Sequence, residues 1–217
     1  MLLGFYYAIT GAMVYFSLRH TNGTLVYPLD DTYIHMAMAK NFAQHGVWGV
    51  TSHGFSSSTS SPLFTGILAL GYFLFGYHGL QPLILNLIFG SILIAYVYLR
   101  LAPIARFPWP GLATLGFLLI VSLPALTFIG MEHILHVFLC LAFLELASFA
   151  LAGIGTKQTN RLLLAVACLL PLARYEGIFP IAIVTFFLLL QKRVRLAGAL
   201  FFGRHYPCFS VWLVEPP

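Results

Sequence analysis

Asp30 and Asp31 stand side by side in Tyr27-Pro28-Leu29-Asp30-Asp31-Thr32-Tyr33-Ile34-His35, and they are two of only six acidic side chains, the others being Glu132, Glu145, Glu176 and Glu215. A carboxylate beside a membrane can act as general base on a hydroxyl or hold a divalent cation. The plain alternative is a helix N-cap, worth about 1 kcal/mol. A cap needs one carboxylate, and a second in so acid-poor a chain favours chemistry. His35 and Lys40 flank the pair and either assist it or lie on a solvated helix face. Glu132, in Gly130-Met131-Glu132-His133, falls in a tight turn between two apolar runs. It is either a second acid of the site, for an acceptor or a metal, or simply a polar turn. His133 and His136 follow at i, i+3 spacing, but no further ligand completes a zinc pattern. In Arg174-Tyr175-Glu176-Gly177, the planar, permanently charged fork of Arg174 suits a phosphate. Arg174 and Glu176 pairing with each other at a helix end is the competing reading.

These groups sit in a chain whose composition decides their surroundings. Of 217 residues, 60% are hydrophobic and 8% charged, with a mean hydropathy of +0.91. A soluble domain of this size cannot bury so much apolar surface. The composition predicts an all-α, polytopic helical membrane protein, with the lipid bilayer as its principal surroundings. The net charge of +5 comes from residues in short loops between apolar runs, where they orient the chain. No nucleic-acid-binding pattern is present. Cys140, Cys168 and Cys208 are odd in number and form no CxxC, which points to packing rather than a disulfide or zinc site.

Met1 opens directly into Leu2–Leu18, an apolar run with no basic region before it, which predicts a retained first span. A polar loop, 19–61, follows. Within it Thr32–Gln44 reads as a short amphipathic helix with Ile34, Met38 and Phe42 along one stripe, stopped at His45-Gly46. Gly54–Pro62 reads as a flexible linker or a loop that closes over substrate. Pro62–Tyr77 is either a short span, which would put the Asp30-Asp31 loop in the cytoplasm, or an interfacial or re-entrant piece, the reading preferred here because it gathers the unusual charges on one face. Spans are predicted at Leu83–Leu99, at Leu112–Ile129 with a bend at Pro124, and at Ile134–Leu151. Leu162–Leu190 is predicted to be a hairpin of two short spans, and Leu196–Val214 a weak last one. Basic residues at 100–106, 157–161 and 192–195 place those loops in the cytoplasm. About seven spans result, with Glu132, Arg174, Glu176 and the acidic pair on the opposite face.

The order of these strings resembles the N-terminal membrane module of the GT-C superfamily of glycosyltransferases, in its bacterial arabinofuranosyltransferase- and mannosyltransferase-like branch. The matching strings are Asp30-Asp31-Thr32-Tyr33-Ile34, Thr59-Ser60-Ser61-Pro62-Leu63-Phe64, Gly130-Met131-Glu132-His133 and Arg174-Tyr175-Glu176-Gly177, over residues 1–195. The resemblance implies an inverting sugar transfer, metal-independent or assisted by a divalent cation. The donor is a polyprenyl-phosphate-linked sugar and the acceptor a hydroxyl on a glycan, lipid or protein. The active face is the extracytoplasmic side of a multi-pass cell (inner) membrane protein. Asp30 matches the family's base and Asp31 supports it, while Arg174 meets the departing phosphate. Glu132, Glu176, His35, Lys40 and Ser61 are expected among the substrate contacts. His133 and Tyr175 depart from the usual strings. The family's chains are much longer, so 196–217 reads as an aberrant or truncated end. The rival expectations are a small transporter or lipid flippase using Arg174 and Glu176 within the membrane, and a non-catalytic membrane scaffold.

Overall fold

The computed structural model describes residues 1–202; the expected last span beyond them, Cys208 and Glu215 lie outside the described residues. Every regular element among the described residues is helical. In chain order these are α1 (Leu2–His20), α2 (Asp30–His45), α3 (Pro62–Phe75), α4 (Gln81–Leu101), α5 (Trp109–Ile120), α6 (Leu123–Ile129), α7 (His133–Ala152), α8 (Lys157–Ala173), a 3-10 turn (Tyr175–Gly177), α9 (Ile178–Leu190) and α10 (Val194–Phe202). The chain forms two compact units, Met1–Leu135 and the residues from His136 onward.

By length and apolarity, α4 and α7 can each cross a bilayer, and α5 with α6 makes a third candidate if that bent pair is one span. The pair bends by 44°. The break falls at Ser122, which takes a left-handed conformation with φ 53°, and Pro124 starts the next helix rather than kinking a continuous one. Pro82 sits in the first turn of α4, where its missing N–H costs nothing. The α3 helix has 14 residues, about 21 Å at 1.5 Å per residue, shorter than the ~30 Å hydrocarbon core.

In the first unit α1 packs against α4, α5 and α6, while α2 lies along α3 and α3 touches α4. A buried polar knot ties the first group together. The Tyr6 hydroxyl lies 2.6 Å from Thr127 Oγ1 and donates to the Asn86 carbonyl at 3.2 Å. Gly90 is what lets Tyr6 in, because a methyl group there would collide with the Tyr6 hydroxyl. In the second unit Arg193 donates to the Ala150 carbonyl, and Gly155 packs against the same residue. The end of α9 is thereby brought to the start of α8. The other end of α8 is joined to α9 through Arg174 and the 3-10 turn, so the apolar run is broken at the charged residues as expected.

The loop expected to be flexible is tied down instead. Asn41 of α2 donates to the carbonyls of Gly49 and Val50 at 2.9 and 2.8 Å, and Ser56 N–H donates to the Trp48 carbonyl at 3.0 Å. Short polar side chains satisfy backbone groups that a mobile linker would leave to water.

Candidate functional site

The acidic pair does not cap α2. The helix starts two residues earlier than the periodicity predicts, with Leu29 at the N-cap and no side-chain capping bond. Asp30 and Asp31 occupy its first turn, where the helix dipole favours negative charge. Gly46, left-handed at φ 67°, ends the helix as expected.

Two side chains carry the first turn of α2 to the turn that bears Glu132. Thr32 Oγ1 donates to the Ile129 carbonyl at 2.8 Å, and from α4 the buried Asn86 donates to the Met131 carbonyl at 2.9 Å. Between them Gly130 has φ +79° and no room for a side chain, since a Cβ there would lie 2.7 Å from the Tyr27 ring and 3.0 Å from the Thr32 methyl. The turn is held at its two carbonyls and wedged at its glycine, so Glu132 is delivered inward.

Glu132 is fully buried and its Oε2 lies 3.2 Å from Nε2 of His35, whose side chain is 2% exposed. Ser60 Oγ donates to Glu132 Oε1 at 3.4 Å. On the other edge of the imidazole, His35 Nδ1 lies 2.9 Å from Thr65 Oγ1 and 3.0 Å from Thr59 Oγ1, and those hydroxyls are 2.9 Å apart. Phe64 stands edge-on to the ring. Burial pushes the Glu132 carboxyl pKa up, but its bond with His35, a backbone bond and the charges of His35 and His133 outweigh it, leaving it below the ordinary carboxylate value.

Beside this pair lies a cavity of about 60 Å³, lined by Asp31, Ile34, His35, Ser58 and Ser60. Asp31 and His35 share a face because they are one helical turn apart. Asp31 and Ser58 are exposed, and His35 is buried. The two exposed groups therefore form the rim and the imidazole closes the floor.

The expected site residues divide accordingly. Asp31 and His35 line the cavity; Asp30 is exposed and does not. Glu132 sits behind His35 and Ser60. Ser61 is fully buried, and its Oγ accepts from the Phe64 N–H at 3.2 Å, so it is the N-cap of α3 rather than a group open to substrate. Lys40 follows Asp31 by nine residues, about half a turn out of phase at 3.6 residues per turn. It stacks over the Tyr77 ring at 4.9 Å and does not assist the acidic pair. Arg174 and Glu176 belong to the second unit, where they pair at 2.8 Å. The bond from Arg174 lowers the Glu176 carboxyl pKa to about 2. Cys140 and Cys168 are half-buried within α7 and α8, and neither is in a disulfide. No group of three metal-ligating side chains gathers among the described residues.

Sequence reasoning missed Thr32, Ser58, Thr59, Ser60, Thr65 and Asn86. Asn86 carried a signal, being a lone amide inside an apolar helix, where an unpaired polar group is costly. Of the hydroxyls, Thr32, Thr59 and Ser60 stood within strings that resemble GT-C enzymes but had no role assigned, while Ser58 and Thr65 carried no signal, because Ser- and Thr-rich loops look alike whether or not they are bonded.

Chemically, the arrangement offers an exposed carboxylate on a small polar cavity, backed by a buried acid–imidazole pair that fixes the walls. It suits proton abstraction from a hydroxyl at the rim. No protein-family model, curated protein or solved structure matches the chain.

Proposed function

We propose that the chain is a membrane-embedded glycosyltransferase module that transfers a sugar from a polyprenyl-phosphate donor to an acceptor hydroxyl. One observation carries the reading. Three of the four strings that resemble GT-C enzymes, although far apart in sequence, meet: Thr32 of the first packs against Gly130 of the third, Ser60 of the second donates to Glu132 of the third, and His35, one residue past the first, lies between Thr59 and Glu132.

In this reaction Asp31 takes the proton of the acceptor hydroxyl. The oxygen's electron pair forms the new bond to the anomeric carbon. The bond from that carbon to the phosphate oxygen breaks with its electrons, and polyprenyl phosphate leaves. Attack opposite the leaving group inverts the anomeric centre. The resemblance assigns the base to Asp30; the cavity favours Asp31, which alone of the pair lines it. The role of meeting the departing phosphate is what the resemblance assigns to Arg174, which pairs with Glu176 within the second unit.

The same reading gives the module about seven spans. They are α1, α4, the bent α5–α6 pair, α7, α8, α9 and a last segment begun by α10. The loop carrying α2 and the interfacial α3 then lies on the extracytoplasmic face, and the protein is a multi-pass membrane protein.

The deciding experiment is transfer of tritiated arabinofuranose or mannose from decaprenyl phosphate by the reconstituted chain, compared with Asp31→Asn and Asp30→Asn. Loss of transfer in Asp31→Asn is expected. Full activity in both variants overturns the assignment of the acidic pair.

A further inference from the structure

We infer that the cavity beneath Asp31 is a subsite for a hydroxymethyl arm, so that the acceptor is a sugar whose reacting hydroxyl neighbours a CH2OH group. The inference rests on the glycosyl-transfer reading above.

Size is the first argument. A cavity that holds a six-membered carbon ring measures roughly 150 Å³. At about 60 Å³ this one is well under half that, so it excludes a sugar ring and has room for a substituent of two heavy atoms. A lone ring hydroxyl, with one heavy atom, would leave much of it empty.

The lining is the second argument. Ile34 supplies one apolar wall, which suits a methylene group. The hydroxyls of Ser58 and Ser60 suit an alcohol. Ser60 spends its proton on Glu132, which leaves its oxygen lone pairs to accept from the arm. Ser58 Oγ has no hydrogen-bond partner among the described residues and is free to donate. Both nitrogens of His35 already face partners, Glu132 on one edge and the two threonines on the other. The imidazole is therefore a wall that fixes the depth.

Position is the third. A hydroxyl that entered the cavity could not be reached by the anomeric carbon of a bulky donor. With the arm inside, the ring stays outside and the adjacent ring hydroxyl rests at the rim, beside the exposed carboxylate of Asp31. The arm thus registers the reacting oxygen against the base, and the acceptor, not the donor, is its source.

Octyl β-glucopyranoside and octyl β-xylopyranoside differ only in that arm. The full chain, in liposomes containing decaprenyl-phosphate-linked mannose or arabinofuranose, is assayed with each, and released decaprenyl phosphate is measured in parallel. The glucoside should be labelled with a kcat/KM at least ~10-fold above the xyloside, with NMR placing the new bond on the ring hydroxyl next to the arm. Ser58→Leu, which fills the rim, should bring the glucoside down to the xyloside's rate. Equal use of both acceptors by the unaltered chain overturns the subsite and leaves glycosyl transfer intact. A preference that follows an arm on the donor, tested with mannosyl and lyxosyl donors, overturns the acceptor assignment. Failure to release decaprenyl phosphate with any pairing overturns the enzyme reading itself, and the subsite with it.

Discussion

The carboxylate of Glu132 and the imidazole of His35 meet at 3.2 Å with both side chains closed off from solvent. Neither could occupy that interior alone, because a buried charge without a partner is far costlier than a buried pair. Their contact joins α2 to the turn before α7. Since the same imidazole faces Thr59 and Thr65, it also fixes the start of α3 and the loop before it.

Removing one partner should therefore cost more than removing both. Glu132→Ala and His35→Ala are each expected to destabilise the fold by about 3–5 kcal/mol, and the double variant by clearly less than their sum. Glu132→Gln, which keeps an acceptor oxygen, should lose less. Denaturant unfolding of the purified protein in detergent, run as a double-mutant cycle, measures the coupling; additive losses would mean the contact is not a pair.

The same contact predicts an acid limb. Glu132 titrates lower in the folded chain than in the unfolded one. Its contribution is complete above the unfolded value of about 4.3 and is lost as pH falls through the lower, folded value. Between pH 7 and pH 3 the Tm of the unaltered protein should fall more than that of Glu132→Gln.

Gly130 and Gly90 are predicted to resist alanine for different reasons. At Gly130 the left-handed backbone costs about 1–2 kcal/mol and the Tyr27 ring occupies the space a methyl needs. At Gly90 the obstacle is the Tyr6 hydroxyl. Tyr6→Phe should restore part of the stability lost in Gly90→Ala and none of that lost in Gly130→Ala, as read by thermal unfolding.

Asp31→Asn should lower sugar transfer by roughly 10²–10⁴-fold, the range for loss of a general base. Asp30→Asn should have a smaller effect, since Asp30 lies off the cavity. Both carboxylates are exposed and make no capping bond, so each variant should lose only the helix-dipole contribution, about 0.3–1 kcal/mol, and shift Tm slightly. A fold loss in either would show that activity is not reporting on chemistry.

Ser57 is exposed in the loop between α2 and α3. A cysteine placed there, in a background free of the native cysteines, should react with an impermeant maleimide from the extracytoplasmic side. Labelling only from the cytoplasm would reverse the proposed orientation and put α3 across the membrane.

The sequence by itself determined the material of the fold. Apolar runs dictate helices, because a backbone in lipid must satisfy its own hydrogen bonds. Pro82, Gly46 and the Ser61-Pro62 step set where helices start or stop, since capping and proline geometry are local properties. The interruption at Arg174 was equally legible. Only the tertiary structure decided which of the unusual polar residues meet. His35 read either as an assistant of the acidic pair or as part of a solvated helix face, and is a buried partner of Glu132. Ser61 looked like a substrate contact and is a helix cap. Lys40 looked close to Asp31 in sequence and is half a turn away on the helix. The physical reason is that burial and pairing depend on long-range approach. A carboxylate can lie inside only if an imidazole from a distant segment arrives with it, and no periodicity within either segment records that meeting.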